Sequence, residues 1–156
     1  MARRPAPGDP APDFEATATD GSRVRLAGYR GRKLVLYFYP RDDTPHCTQQ
    51  ACSLRDHAAE LARRGAAVLG VSTQGERSHQ AFTSKYGLNF PLLVDAGGKL
   101  ARAYGVMGGG GVVSKMKAAL GLADRVTFVI DEQGRIAHVI EKPDVARHAD
   151  EILALL

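Results

Sequence analysis

The sequence predicts an α/β domain with a central mixed β-sheet flanked by helices. Three observations lead to this fold class. Apolar segments of strand length alternate with amphipathic segments in the first two thirds of the chain, two extended segments joined by a turn follow, and a last amphipathic segment closes the chain. Alternating strands and helices favour parallel pairing, whereas a hairpin adds antiparallel pairing. The 156 residues suffice for one domain with its own core and are too few for two, so we expect a single domain over residues 1–156.

The predicted strands are short runs that either alternate in polarity or are continuously apolar. Residues 13–18 and 23–26 alternate and are separated by the turn residues TDGS, which predicts a hairpin. Residues 33–39 (KLVLYFY) form a continuous apolar and aromatic run, typical of a strand buried on both faces. The remaining strands are expected at 66–71, 90–94, 125–131 and 135–140, and the last two are joined by the turn DEQG.

The predicted helices carry apolar residues at helical spacing. We expect one helix from residue 45 to about residue 63, because apolar residues recur along one of its sides. These residues are Cys47, Ala51, Leu54, Ala58 and Leu61. Further helices are expected at 76–86, 99–104 and 145–156.

The segment GVMGGGG at 105–111 is expected to be a flexible loop, because glycine loses the most backbone freedom on ordering. Its glycines do not form a phosphate-binding motif, since the strand followed by G-x-x-x-x-G-K-[ST] is absent. We assign no regular element between this loop and residue 124.

The formal net charge of +4 does not by itself indicate a nucleic-acid partner. Arginine and lysine are spread through the chain, usually close to an acidic residue, as in RDD at 41–43. We therefore expect a solvated surface and no nucleic-acid binding.

The longest apolar runs are of strand length and no secretory signal is readable, so we expect no membrane partner and a cytoplasmic location. In that reducing compartment paired cysteines are more often catalytic or metal-binding than structural.

The first of the two cysteines is a candidate nucleophile. A helix that begins at Pro45 has Thr44 as its cap and holds Cys47 in its first turn. The amide groups and the positive end of the helix dipole there favour thiolate over thiol. Asp42 and Asp43 would oppose a negative sulfur unless they point into water, so a further positive group is expected near Cys47.

The second cysteine lies on a different side of the same helix. Cys52 follows Cys47 by five residues, which places it about 140° around the helix and about 7.5 Å along it. A disulfide tolerates Cα separations up to roughly 7 Å and needs converging Cβ vectors, so a bond between the two requires the first turns to unwind. Cys52 shares a more polar face with Arg55 and Arg63, where a partner reductant has access; the alternative is that it only fills space.

A metal site is a weaker interpretation of the same stretch. His46, Cys47, Cys52 and His57 supply ligand atoms, but C-x₄-C without a second ligand pair matches zinc spacings poorly. The C-x-x-C spacing of a thioredoxin-type dithiol is also absent.

The string from Pro40 to Cys47, PRDDTPHC, has the form P-x-x-x-T-x-x-C and resembles the active-site motif of the peroxiredoxins. The continuation CTQQACSLRD resembles the bacterioferritin-comigratory, or Q-type, subfamily. Similarity extends over most of the chain, through GDPAPDFEATATDG, VLGVSTQGERSHQAFTSKYGLNFPLLVD, AYGVMG and RVTFVIDEQGRI. The resemblance implies a thioredoxin-like fold and a thiol-dependent peroxidase that reduces hydrogen peroxide and organic hydroperoxides, in antioxidant defence.

The resemblance also implies a role for each matching residue. Cys47 would be the peroxidatic thiolate and Cys52 the resolving thiol, joined in an intramolecular disulfide that thioredoxin or glutaredoxin reduces. Thr44 would hydrogen-bond the peroxide, Pro40 would shield the sulfur from solvent, and Arg125 would supply the positive charge. No metal or organic cofactor is required. The subfamily resemblance favours a monomer, with a dimer as the alternative.

Two departures from the subfamily pattern bear on the rim of the site. His46 stands where the subfamily usually has glycine, which implies a tighter pocket or one that responds to pH. The glycines at 108–111 and the stretch KMKAALGL before Arg125 also differ from the usual connection.

A second hypothesis is a redox-sensing or chaperone-like protein, in which melting of the Cys47 helix exposes Ala51, Leu54 and Leu61 to a partner.

Overall fold

A mixed sheet with helices against it forms the protein in the computed structural model, which describes residues 3–109 and 111–156. The strands of this described part are β1 (Glu15–Ala18), β2 (Arg23–Arg25), β3 (Lys33–Phe38), β4 (Ala66–Ser72), β5 (Leu92–Val94), β6 (Val126–Ile130) and β7 (Ile136–Ile140). Its α-helices are α1 (Pro45–Asp56), α2 (Ala58–Arg63), α3 (Glu76–Tyr86), α4 (Lys99–Ala103), α5 (Val112–Ala119) and α6 (His148–Leu153).

The strand order across the sheet is β2-β1-β5-β4-β3-β6-β7. The pairs β3–β4 and β4–β5 are parallel, and every other neighbouring pair is antiparallel. The predicted mixed sheet and both predicted hairpins are therefore confirmed. Central β3 pairs with β6 so that Phe38 faces Val126, which brings the chain before β6 next to the end of β3.

The core lies on both faces of the sheet, as the apolar run of β3 predicts. Leu34, Leu36 and Phe38 pack into one cluster, while Val35 and Tyr37 pack into the other. The second cluster also contains Cys47 and the apolar side of α1 and α2. The cysteine is thus part of a packed core layer.

Gly70 of β4 sits where a side chain has no space. A Cβ atom at this position would lie 2.7 Å from Cδ2 of Leu92 and 2.9 Å from Cε1 of Tyr37. The missing side chain lets the Tyr37 ring approach the backbone of β4 closely.

The single helix predicted for residues 45–63 is wrong, because the chain forms two helices that meet at His57. The backbone of His57 leaves the helical region (φ −112°, ψ 13°). Its ring Nδ1 lies 2.8 Å from the carbonyl oxygen of Ser53, the acceptor that the amide of residue 57 would use in a continuous helix. The His57 amide donates to Leu54 instead, at 3.3 Å, and ends α1.

Other boundaries differ by a few residues, and one helix was not predicted. Residues 145–147 form a 3₁₀ turn before α6, so the last predicted helix is shorter than expected. Helix α5 occupies residues to which no regular element was assigned from the sequence. The loop at 105–111 has no helix or strand in its described residues, and Gly110 of the glycine segment lies outside them. Among the described residues, none of the helices has the length and apolarity needed to cross a bilayer.

Candidate active site

Cys47 lies in the first turn of α1 and is 2 % exposed. Pro45 begins the helix and Thr44 occupies the N-cap position with extended backbone angles, as the sequence predicts. The Thr44 hydroxyl does not cap the helix, however. It donates to the carbonyl oxygen of Arg41 at 3.0 Å, so no side chain caps this end of α1.

The guanidinium of Arg125 supplies positive charge beside the sulfur. Its Nη2 donates to Cys47 Sγ at 3.2 Å, and its Nη1 donates to Oε1 of Gln50 at 2.7 Å. Arg125 immediately precedes β6, whose pairing with β3 carries it to the start of α1. The positive group expected from the charge argument is therefore present, next to the reactive end of the helix.

Two fully buried polar side chains lie in the same part of the molecule. Gln50 is one turn after Cys47 on α1, and Tyr37 lies on β3. Burial raises the pKa of Tyr37 well above its ordinary value, and the neighbouring Cys47 adds to the rise, so Tyr37 remains a neutral phenol. Among the described residues, Tyr37 Oη and Gln50 Nε2 have no hydrogen-bond partner.

Sequence reasoning missed Gln50, although its spacing contained a signal. A residue three positions after Cys47 shares a face of an α-helix with it. A glutamine on that face is a neutral acceptor for an arginine, and it does not place a second negative charge next to the sulfur.

His148 of α6 lies close behind Arg125. Its Nε2 is 2.8 Å from Oγ1 of Thr127 and its Nδ1 is 3.1 Å from Oε1 of Glu151. A carboxylate accepts only, so Nδ1 carries the ring proton and Nε2 accepts from the Thr127 hydroxyl. Burial lowers the pKa of His148, partly offset by Glu151, and the Arg125 charge contributes to the lowering. The imidazole therefore stays neutral beside the arginine.

Asp42 is one of the two aspartates that would oppose a negative sulfur unless they point into water, and it does not point into water. It is 8 % exposed and accepts hydrogen bonds from Tyr39 Oη (2.6 Å), Ser78 Oγ (2.7 Å) and His79 Nδ1 (2.6 Å). Burial alone would raise the pKa of Asp42, but the His79 hydrogen bond and charge, with the two hydroxyl donors, hold that pKa below its ordinary value. Its negative charge is thus balanced by His79.

Asp43 is exposed and also has partners of its own. It accepts from Lys85 Nζ at 2.8 Å and from Tyr86 Oη at 2.7 Å, and its backbone has a positive φ of 55°. These hydrogen bonds lower the pKa of Asp43. Both aspartates are therefore satisfied by α3 rather than facing Cys47 without a partner.

Pro40 is half-buried at the start of the same segment. Its carbonyl oxygen accepts from Gln74 Nε2 at 3.1 Å, while Gln74 Oε1 accepts from the Asp42 amide at 3.0 Å. One glutamine side chain thus braces the backbone between the end of β3 and the start of α1.

Cys52 is half-buried on α1, and both cysteines are free thiols. His46 is exposed beside Cys47. Within residues 3–109 and 111–156, no group of three or more His, Cys, Asp or Glu residues is arranged to hold a metal ion.

The arrangement can perform nucleophilic chemistry at sulfur. It holds a helix-start cysteine against a guanidinium, and it keeps the nearest titratable groups either neutral or paired. A cavity of about 410 Å³ opens beside Arg125 and has apolar walls and charged walls of both signs. Its lining includes Val113, Lys117, Val126, Lys142 and Pro143.

Residues 7–139 match the AhpC/TSA family. The chain is 39% identical over 149 residues to a protein of Coxiella burnetii named putative peroxiredoxin bcp, covering 96% of this chain and 97% of that one. It is 38% identical over 146 residues to peroxiredoxin Bcp of Escherichia coli strain K12, covering 94% and 92% of the two chains.

Two solved structures are similar in fold as well as in sequence. Peroxidoxin BcpB of Mycobacterium tuberculosis superposes with a TM-score of 0.84 at 35% identity, over 97% of this chain and 96% of that one. The bacterioferritin comigratory protein of Xanthomonas campestris, described in terms of its alkyl peroxide reduction activity, has a TM-score of 0.79 at 32% identity, over 90% and 88% of the two chains.

Proposed function

The chain belongs to the AhpC/TSA family, and from that premise we propose that Cys47 is the sulfur with which this thiol-dependent peroxidase of thioredoxin-like fold attacks its substrate. The observation that supports this assignment best is the contact of 3.2 Å between Arg125 Nη2 and Cys47 Sγ at the first turn of α1. A guanidinium and a helix start both favour the thiolate, which is the nucleophilic form of cysteine.

In the first step the Cys47 thiolate attacks one oxygen of the peroxide. An S–O bond forms, the O–O bond breaks, and the departing oxygen takes up a proton and leaves as water or an alcohol. Cys47 becomes a sulfenic acid, and the peroxide receives two electrons. Arg125 and the amides of the first turn are the proposed donors to the two oxygens, because no side chain caps that end of the helix. The Thr44 hydroxyl joins them when it turns from the carbonyl oxygen of Arg41, to which it donates in the structure, toward the peroxide. Pro40 limits the access of water to the sulfur.

In the second step the Cys52 thiol condenses with the sulfenic acid, which forms the S–S bond and releases water. The two cysteines face different sides of α1, so the first turns of the helix unwind before the bond forms. A thioredoxin-type dithiol then reduces the disulfide by exchange; we assign this role to thioredoxin or glutaredoxin. A reducing cytoplasm and a monomeric chain fit this cycle.

The cavity beside Arg125 supports activity toward organic hydroperoxides as well as hydrogen peroxide. Its apolar wall, formed by residues such as Val113 and Pro143, suits an alkyl group on the side of Arg125 away from α1, and Arg125 is the residue that connects this cavity to the sulfur.

The test is a coupled assay of thioredoxin-dependent peroxide consumption, with hydrogen peroxide compared against a bulky lipid-like hydroperoxide. Cys47→Ser should abolish turnover of both, whereas Cys52→Ser should consume about one equivalent and then stop, because recycling needs the disulfide. Turnover that persists in Cys47→Ser contradicts the assignment. Stoichiometric consumption by the wild type, without recycling by any dithiol protein, would favour the redox-sensing hypothesis instead.

A further inference from the structure

The buried pair of Asp42 and His79 has no part in the chemistry above, yet it is directly attached to the active-site segment. His79 is fully buried on α3, and its two ring nitrogens both face oxygen atoms. Nδ1 lies 2.6 Å from Oδ2 of Asp42, and Nε2 lies 2.8 Å from the carbonyl oxygen of Leu93.

These distances determine where the protons are. A carbonyl oxygen only accepts, so Nε2 carries a proton that it donates to Leu93. A bare Nδ1 at 2.6 Å from a carboxylate would place two lone pairs against each other, so a second proton lies between Nδ1 and Asp42. The pair is therefore a charge-assisted hydrogen bond inside the protein, in an environment where such bonds are strong and their loss is costly.

Asp42 is bound to α3 and to β3 at once. Ser78 and His79 donate to it from α3, while the donor from the end of β3 is Tyr39, at 2.6 Å. Gln74, which precedes α3, binds the backbone of Pro40 and Asp42 on either side of Arg41. Residues 40–43 are thus held by hydrogen bonds to α3, to Gln74 just before it and to Tyr39 just after β3.

A second set of hydrogen bonds holds α1 after Cys52. Ser53 Oγ accepts from the amide of Ala149 at 3.1 Å, and Arg55 Nη1 donates to the carbonyl oxygen of Tyr86 at 2.6 Å. Between these two anchored regions, the long-range side-chain hydrogen bonds of residues 44–52 in the described part of the chain are those from Arg125 to Cys47 and Gln50. The stretch that must unwind is therefore bounded on both sides.

We propose that Asp42 and His79 form a positioning clamp that holds residues 40–44 on α3 and so keeps Thr44 and the first turn of α1 folded around Cys47. This inference rests on the proposed function. The clamp favours the folded arrangement that reacts with peroxide, and it opposes the unwound arrangement that forms the disulfide. Weakening it shifts the population from the first arrangement toward the second. The first chemical step then slows, whereas the second stays as fast or becomes faster.

The experiment measures the two steps separately in a single turnover. Because the chain contains no tryptophan, rapid mixing with hydrogen peroxide is followed by an acid quench, alkylation of the remaining thiols and intact mass measurement. The gain of one oxygen reports the sulfenic acid, and the loss of two hydrogens reports the disulfide. His79→Leu removes both ring donors and should slow sulfenic acid formation about tenfold, while disulfide formation stays as fast or becomes faster.

Three further variants separate positioning from general stability. His79→Asn retains a donor at the place of Nδ1 and should recover most of the oxidation rate. Tyr39→Phe removes one hydroxyl donor from Asp42 with little change in volume. It should change each step in the direction expected for His79→Leu, by a few-fold. Tyr39→Phe provides the test of the clamp if His79→Leu does not fold. The control is Asp95→Asn, a buried carboxylate that accepts from the amides of Leu100 and Ala101 and should leave the ratio of the two rates unchanged.

Slower oxidation with disulfide formation that is as fast or faster, together with recovery in His79→Asn, supports the clamp. An unchanged oxidation rate, or a parallel slowing of both steps in Tyr39→Phe, overturns it. Failure of the proposed function has a different signature, since wild-type Cys47 would then gain no oxygen before any variant is compared.

Discussion

Arg125 Nη2 lies 3.2 Å from the Sγ of Cys47, although the two residues are 78 positions apart in the chain. The antiparallel pairing of β6 with β3 produces this contact, because it carries the residue before β6 to the strand end from which α1 departs. The same guanidinium is fixed by Gln50, so its second donor group is oriented toward the sulfur. The electrostatics of the site therefore depend on a two-point contact rather than on nearby charge alone.

Replacing Arg125 by lysine should impair the enzyme even though the charge is kept. An ammonium group cannot donate to Gln50 and Cys47 in the fixed fork geometry of a guanidinium. We expect the rate of Cys47 oxidation to fall by about tenfold or more and the thiolate fraction at neutral pH to decrease. Rapid mixing with peroxide and ultraviolet titration of the thiolate measure these effects. Arg147→Lys, at an exposed ion pair with Asp150, is the control; equal losses in both variants would disprove the two-point contact.

Changing Gln50 to glutamate should slow peroxide reduction more than changing it to methionine. Glutamate would pair with Arg125 and place a negative charge beside the sulfur, whereas methionine only removes the acceptor for Nη1. We expect a loss of about tenfold or more for Gln50→Glu and a smaller loss for Gln50→Met. The second-order rate constant with hydrogen peroxide is the measurement. A Gln50→Glu protein as active as Gln50→Met would contradict the charge argument.

Gly70→Ala should destabilise the fold and disturb the site through Tyr37. The added methyl group would overlap Leu92 and the Tyr37 ring, and overpacking of this kind costs about 1–3 kcal/mol. Urea unfolding monitored by circular dichroism measures the free energy of unfolding. The matched control is Gly28→Ala, where a Cβ atom meets nothing within 4 Å. If both variants unfold at the same urea concentration as the wild type, the close approach at Gly70 has no energetic importance.

His148 should make the protein less stable in mild acid. Burial, the largest cause, lowers the pKa of His148 in the folded protein below its ordinary value of 6.5. The unfolded chain therefore binds a proton more readily, and stability is fully present above pH 6.5 and is lost as the pH falls toward the folded pKa. His148→Gln should remove this part of the slope of unfolding free energy against pH, whereas His46→Gln at an exposed position should not. A wild-type slope that survives in His148→Gln would show that other groups cause it.

The start of α1 was predictable because its signals are local. Thr44 and Pro45 mark the helix start, and Cys47 falls in the first turn by counting alone. The contact with Arg125 follows from strand pairing, which spacing along the chain does not reveal, and it was expected only through the resemblance to a known family. The mixed sheet and its hairpins were predictable for the same local reasons as the helix start.

The partners of Asp42 and His148 were not predictable, because each depends on a helix that packs from elsewhere in the sequence. The sequence indicated only that Asp42 would oppose a negative sulfur unless it pointed into water, whereas in the structure a buried histidine 37 residues away binds it. The break at His57 was missed for a different reason. An imidazole that takes over a carbonyl from its own amide leaves no mark in the apolar pattern.

The break between α1 and α2 at His57 limits the unwinding that the proposed disulfide requires. The first backbone hydrogen bond of α2 runs from the Leu61 amide to the His57 carbonyl oxygen. Helix α2 therefore shares no backbone hydrogen bond with the opening turns of α1. Fraying that starts at Cys47 can therefore reach Asp56 without removing any hydrogen bond from the six residues of α2. In the proposed cycle, the opening turns of α1 unwind and refold as a small cooperative unit, while α2 remains in place as the template on which they reform.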